Sequence, residues 1–293
     1  MPGTKPQIRE KQISIECADG IKLAASLFVP GKPKCTAVTI HSALAVPRGF
    51  YAPFARFLAT HGHTVITYDY RGMGESDGRR LNGRRVRMAD WGTLDIEAVF
   101  LWVLKTLKPK RTFAVGHSAG GQLIGLARHC DQLAAALLVA APSGYWKHYP
   151  MPDRMGVWVL WHLLIPVASR MSDRINTRAL RLAQVDIPSG VARQWADWGR
   201  TPAYLFDPVH GLDTHRYVRL RMPVLAYSFA DDRIAPRPSV EALLVHYPHC
   251  AIRHVHLAPD EAELNSVGHF GFFREHARHR LWPEAAAWLD RCE

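Results

Sequence analysis

The 293-residue sequence has no apolar run long enough to span a bilayer. Its most apolar stretch, MGVWVLWHLLIPVA at 155–168, is interrupted by His162 and Pro166 and falls short of the roughly 20 residues a spanning helix needs. No stable membrane insertion is expected. The first residues, MPGTKPQIREKQ, are polar and lack the apolar core of a secretory leader, which sets the expectation of a cytoplasmic protein. Cysteine is scarce: Cys17, Cys35, Cys130, Cys250 and Cys292 are odd in number and show no C-x-x-C spacing. Free thiols in a reducing compartment are expected, not a disulfide framework. Internal repeats and low-complexity linkers are missing as well.

Acidic residues are outnumbered, 37 − 26 = +11. Part of that excess is local, in Gly78-Arg79-Arg80-Leu81-Asn82-Gly83-Arg84-Arg85-Val86-Arg87. The stretch has no interleaved aromatics and matches no nucleic-acid motif, so Arg79–Arg87 reads as a solvated basic loop and no nucleic-acid partner is expected. It could still draw an anionic ligand. What is present is an ordinary globular composition, 48% hydrophobic and 10% aromatic. That excludes a disordered chain and suffices for a large core.

Residues 12–17 and 21–29 read as strands around the turn signal Asp19-Gly20. Strands are then expected at 35–41, 63–70, 111–117, 133–141, 223–229 and 251–257. Helices are expected at 51–61, 88–107 (capped near Asp90), 119–129, 157–164, 189–198, 238–246 and 283–291. Alternating strands and helices imply a mostly parallel sheet with helices on its faces. The alternation breaks over 143–217, which is rich in Trp and Tyr. The expected organisation is a core of 1–142 and 218–293 with a helical cap at 143–217.

Gly116-His117-Ser118-Ala119-Gly120 stands where a strand ends and a helix opens. A serine there sits in a sharp turn that tolerates only small neighbours, at a helix N-terminus that favours a developing oxyanion. Its hydroxyl needs a histidine base, and the histidine needs a carboxylate. Two aspartates compete in the loop after strand 223–229, and Asp232 is favoured, with Asp231 shaping the turn. His269, in Gly268-His269-Phe270-Gly271, is the expected base. His254 and His256 lie inside a strand, and no third ligand makes them a metal pair. The expected oxyanion donors are the Ala119 and Ala43 amides, with Leu44 as the alternative to Ala43. Leu44, His117 and Trp146 are the expected substrate contacts, and most cap aromatics are expected to form the cap's own core.

Gly116 to Gly121, Asp69-Tyr70-Arg71-Gly72-Met73-Gly74-Glu75-Ser76, Asp232 and His269 together resemble the α/β-hydrolase superfamily. Gly144-Tyr145-Trp146, Gln194-Trp195-Ala196-Asp197-Trp198 and Gly268-His269-Phe270-Gly271-Phe272-Phe273 narrow the resemblance to a bacterial subgroup of serine hydrolases without a settled substrate. One departure is His41-Ser42 where many relatives carry His-Gly. The resemblance implies ester hydrolysis through an acyl-enzyme on Ser118. It also implies no metal or organic cofactor, and a small-molecule ester or acyl substrate. A thioesterase, amidase or acyltransferase would use the same residues, and a binding protein would keep only the fold. A homodimer is compatible with all of these.

Overall fold

The computed structural model describes residues 7–76, 81–177 and 185–292, so Arg79 and Arg80 of the basic loop lie outside the described residues. β1 (Ile8–Glu16) and β2 (Lys22–Pro30) form an antiparallel hairpin in unbroken register from Ile8 opposite Pro30 to Glu16 opposite Lys22. Gly20 turns it at φ 81°, a conformation only glycine takes freely. β3 (Thr36–His41), β4 (Thr64–Tyr68), β5 (Arg111–His117), β6 (Leu133–Val139), β7 (Val224–Phe229) and β8 (Ile252–Leu257) complete one eight-stranded sheet. Its order is β1-β2-β4-β3-β5-β6-β7-β8. β1–β2 and β2–β4 pair antiparallel, and every other pair is parallel.

Burial explains this order. β3 and β7 are buried at every position, and β5 and β6 nearly so, as strands covered on both faces must be. The edge strands β1 and β8 carry Arg9, Glu10, Lys11 and Arg253, charges that discourage edge-to-edge pairing.

Helix Ala52–Thr60 packs on β4 and β2 and against helix Trp282–Arg291. The run 88–107 alternates α and π turns. It is capped near Asp90 as expected: Asp90 is its third residue, and its carboxylate reaches back to accept the amide of Arg87, the N-cap, at 2.9 Å. The helix after β5 is shorter than its periodicity suggests, Ala119–Leu123 followed by a tighter turn. The Tyr217 hydroxyl donates to the Gln122 carbonyl and its ring lies 2.6 Å from where a Gly125 Cβ would stand, so the tyrosine takes the place of the next turn.

Between β6 and β7 the chain is mainly helical, apart from a short antiparallel ladder of Arg174–Ile175 on Ile187–Pro188. The run 153–171 extends beyond the expected 157–164 on both sides and passes through Pro166. A π turn, Leu160–Leu164, ends two residues before that proline, widening the helix where a ring cannot donate. Trp161 and Trp198 are fully buried. Trp161 meets Trp195 edge-on at 4.3 Å and donates to the Gly144 carbonyl at 2.9 Å. Among the described residues no helix is long and apolar enough to cross a membrane.

Candidate active site

Ser118 follows the last residue of β5 with φ 50° and ψ −117°, a strained backbone for a residue with a Cβ. The glycines around it answer to space. A Cβ on Gly120 would stand 2.1 Å from the His41 carbonyl oxygen, and one on Gly116 2.5 Å from the Gly121 Cα. The Ser118 amide donates to the Val139 carbonyl at 3.0 Å, and its own carbonyl accepts from Gly121 and Gln122. The turn is thus pinned by one neighbouring strand and by the helix that follows it, and Ser118 lines a cavity.

The two aspartates after β7 divide the work. Asp232 Oδ2 accepts from His269 Nδ1 at 2.8 Å, and Oδ1 accepts the Ile234 and Ala235 amides at 2.8 and 2.9 Å. Its carboxylate is therefore fixed in orientation and fixes the imidazole in turn. The proton on Nδ1 leaves Nε2 free to accept one. Asp231 instead accepts the Val267 and Gly268 amides, both at 2.9 Å, and the Ser266 hydroxyl at 2.8 Å, gripping the loop that carries His269. These bonds hold the Asp231 carboxyl below the usual range against the opposing effect of burial.

A cavity of about 190 Å³ joins these parts. Ser118, His269, Leu44 and Phe270 line it from the sheet side, and Val157, Leu160, Trp161, Thr177 and Trp195 from the helical segment. Among the described residues no hydrogen bond joins the Ser118 and His269 side chains. In enzymes without substrate such contacts are often long and tighten only in the complex. Arg233 at the rim donates through its guanidinium to Asp153, tying the loop after β7 to the start of the run 153–171.

The expected residues do not all meet here. The Ala43 amide is already engaged, donating to the Tyr51 hydroxyl at 2.8 Å, so it is no free oxyanion donor. The amides of Leu44 and Ala119 donate to no acceptor among the described residues; Leu44 lines the cavity, and Ala119 is the first helical residue after Ser118. His117 is wholly buried and lines no part of the cavity. Its Nδ1 accepts from Tyr51 Oη at 2.8 Å and its Nε2 donates to the His269 carbonyl at 2.8 Å. Burial, then the neighbouring His269, push its pKa well down, so the ring stays neutral. Trp146 also lies off the cavity, with Lys147 over its ring at 5.3 Å. Ser42, the departure in the loop, is buried and donates to the Tyr68 carbonyl at 3.4 Å.

Tyr51 and the cavity wall were not legible as such. Tyr51 reads as one apolar residue of a helix, and nothing local marks its hydroxyl. Arg233 adjoins Asp232 in sequence, which is a usable signal. His254 Nε2 and His256 Nδ1 share the Ser228 hydroxyl at 2.8 and 2.7 Å, so the pair is satisfied within the sheet. Among the described residues no three His, Cys, Asp or Glu side chains are grouped to hold a metal ion.

A family model described as "Alpha/beta hydrolase family" matches residues 27–283. No curated protein matches the chain significantly in sequence. Among solved structures, a soluble variant of monoglyceride lipase from Saccharomyces cerevisiae, in complex with a substrate analogue, is similar with 16% identity. That match covers 99% of this chain and 97% of that one, with a TM-score of 0.70. An esterase from Pyrococcus furiosus is similar with 16% identity over 97% and 91%, TM-score 0.64. The mouse alpha/beta hydrolase domain-containing protein 10 is similar with 15% identity over 97% and 100%, TM-score 0.62. At these identities the likeness is one of fold.

Proposed function

The chain belongs to the alpha/beta hydrolase family, and from that premise we propose that it is a serine hydrolase cleaving a carboxylic ester with a small or medium apolar acyl group. The observation that carries the reading is the 2.8 Å bond from His269 Nδ1 to Asp232, with His269 and Ser118 on one cavity wall. Ser118 Oγ attacks the ester carbonyl as His269 Nε2 takes its proton. The tetrahedral oxyanion is met by the Ala119 and Leu44 amides. His269 returns the proton to the leaving alcohol, and water then releases the acid by the same steps in reverse. Residues 143–217 act as a cap whose Val157, Leu160, Trp161 and Trp195 form the acyl pocket. A cavity near 190 Å³ is smaller than the roughly 300–1,000 Å³ of sites for drug-sized ligands, which favours short acyl groups. Structurally similar proteins described as an esterase and a monoglyceride lipase lend support.

The test is labelling with a fluorophosphonate, with the modified residue located by mass spectrometry. Labelling at Ser118 that disappears in Ser118→Ala, together with turnover of p-nitrophenyl esters falling from butyrate to palmitate, is expected. Folded protein that neither labels nor turns over any ester or thioester would leave only the fold.

A further inference from the structure

The run 153–171 has two apolar faces, and only one is used. Val157, Leu160 and Trp161 face the cavity, and Trp161, Ile165 and Ser169 are buried. The other face is open. Of eleven exposed large apolar side chains among the described residues, six (Met151, Met155, Leu163, Leu164, Val167 and Met171) fall within 151–171. Leu163, Val167 and Met171 recur every fourth residue and so form one stripe, with Met155 exposed nearer the start of the run. The remaining five are scattered over 209–252, as single exposed apolar residues usually are.

At its C-terminal end this stripe meets arginines. The Arg84 guanidinium donates to the Arg170 carbonyl at 3.2 Å, and that of Arg193 to the Arg84 carbonyl at 3.4 Å. Arg170 donates to the Pro166 carbonyl, and Arg174 to the carbonyls of Gly72 and Asp186. Among the described residues each of these guanidiniums ends on a backbone carbonyl, not on a carboxylate. Four arginines, Arg84, Arg170, Arg174 and Arg193, thus stand here against Asp173 and Asp186, their neighbours in sequence.

We infer that this face docks on an anionic lipid surface. The apolar stripe enters the headgroup region in the plane of the interface while the arginines reach lipid phosphates. The same helix walls the cavity, so docking sets the cavity beside the bilayer. A second copy of the chain is the competing occupant. A twofold interface must be complementary to itself. Here the basic end of one stripe would need an acidic end on the other, and Asp153 at that end is already held by Arg233. The net charge of +11 opposes self-association as well. The inference stands apart from the catalytic reading, since it uses neither Ser118 nor His269.

The full chain is sedimented with vesicles of phosphatidylcholine alone and of phosphatidylcholine mixed with phosphatidylglycerol, and run without lipid in a sedimentation-velocity experiment. The expected result is a lipid-free monomer that binds the anionic vesicles, binds the neutral ones weakly, and loses binding as salt rises. Val167→Asp with Met171→Asp is expected to lower the partition by about tenfold or more while melting as wild type does. If that variant melts early, Met155→Gln with Met171→Gln replaces it. Wild-type protein left in the supernatant, or a correctly folded variant that binds equally well, overturns the proposal. A lipid-free dimer dissociated by the same substitutions overturns it in favour of a second copy.

Discussion

Tyr51 Oη donates to His117 Nδ1 at 2.8 Å, and the same oxygen accepts the Ala43 amide. Because His117 Nε2 holds the His269 carbonyl, one phenol connects the loop after β3, the residue before Ser118 and the loop of the candidate base. Tyr51→Phe keeps the ring and strands two buried polar groups, a cost of about 1–3 kcal/mol. The urea midpoint should fall accordingly. With Ser118 and His269 loosened together, kcat should fall more than KM rises. Unchanged midpoint and kcat would show that the phenol is a spectator.

Asp232 and Asp231 are adjacent, yet their exchange for asparagine should give opposite phenotypes. Asp232→Asn removes the acceptor that sets the His269 tautomer and should lower kcat by about 10⁴-fold with little loss of stability. Asp231→Asn leaves that bond intact but weakens the grip on Ser266, Val267 and Gly268. It should cost about 1–3 kcal/mol with kcat largely retained below the new melting temperature. Steady-state kinetics and thermal melts on both variants separate the two roles, and reversed phenotypes would exchange them.

The parallel core was legible because β6 and β7 are almost wholly apolar and β3 and β5 have apolar centres, a signal that burial on both faces writes directly into sequence. The Ser118 turn was legible for a related reason: backbone crowding permits only glycine at 116 and 120. What could not be read were long-range hydrogen bonds. Ala43 suited close approach by its size, but its amide is claimed by Tyr51 eight residues on, at the end of the 3-10 turn Arg48–Tyr51. His117 stands beside the serine in sequence, yet β5 directs its ring into the core. Trp146 lost its expected place to Trp161 and Trp195, since an aromatic's assignment to core or cavity depends on how helices cross, which periodicity does not encode.

In the sequence Asp69 to Ser76, Arg71 serves the fold. Its guanidinium donates to buried Asp95 at 2.6 Å and to Asp19 at 2.6 Å, and its amide donates to Asp95 at 2.8 Å. Above about pH 7, where Asp95 is ionised, Arg71→Met would leave its carboxylate buried without its partner, a loss of about 3–5 kcal/mol. Adding Asp95→Asn should recover part of it. A double-mutant cycle by urea unfolding measures the coupling, and strictly additive effects would show that the pair is not coupled.

Buried histidines should set the acid side of stability. Complete burial pushes His41 down to about 3 and His117 well below its ordinary value, while in the unfolded chain both titrate near about 6.5. Below that pH the unfolded chain binds protons the native state refuses. The stabilisation is whole above about pH 6.5 and is lost as pH falls towards about 3. Asp95 has the opposite sign. Burial, opposed by Arg71, raises its carboxyl to about 7, so the native state takes up a proton that the unfolded chain declines until about 3.9. That uptake favours folding as pH drops through 7. Urea midpoints between about pH 8 and about pH 5 test both signs. Relative to wild type, His41→Gln should lose stability less steeply on acidification, by up to about 1.4 kcal/mol per pH unit, and Asp95→Asn more steeply. Parallel curves for all three proteins would mean that neither group changes its protonation on folding.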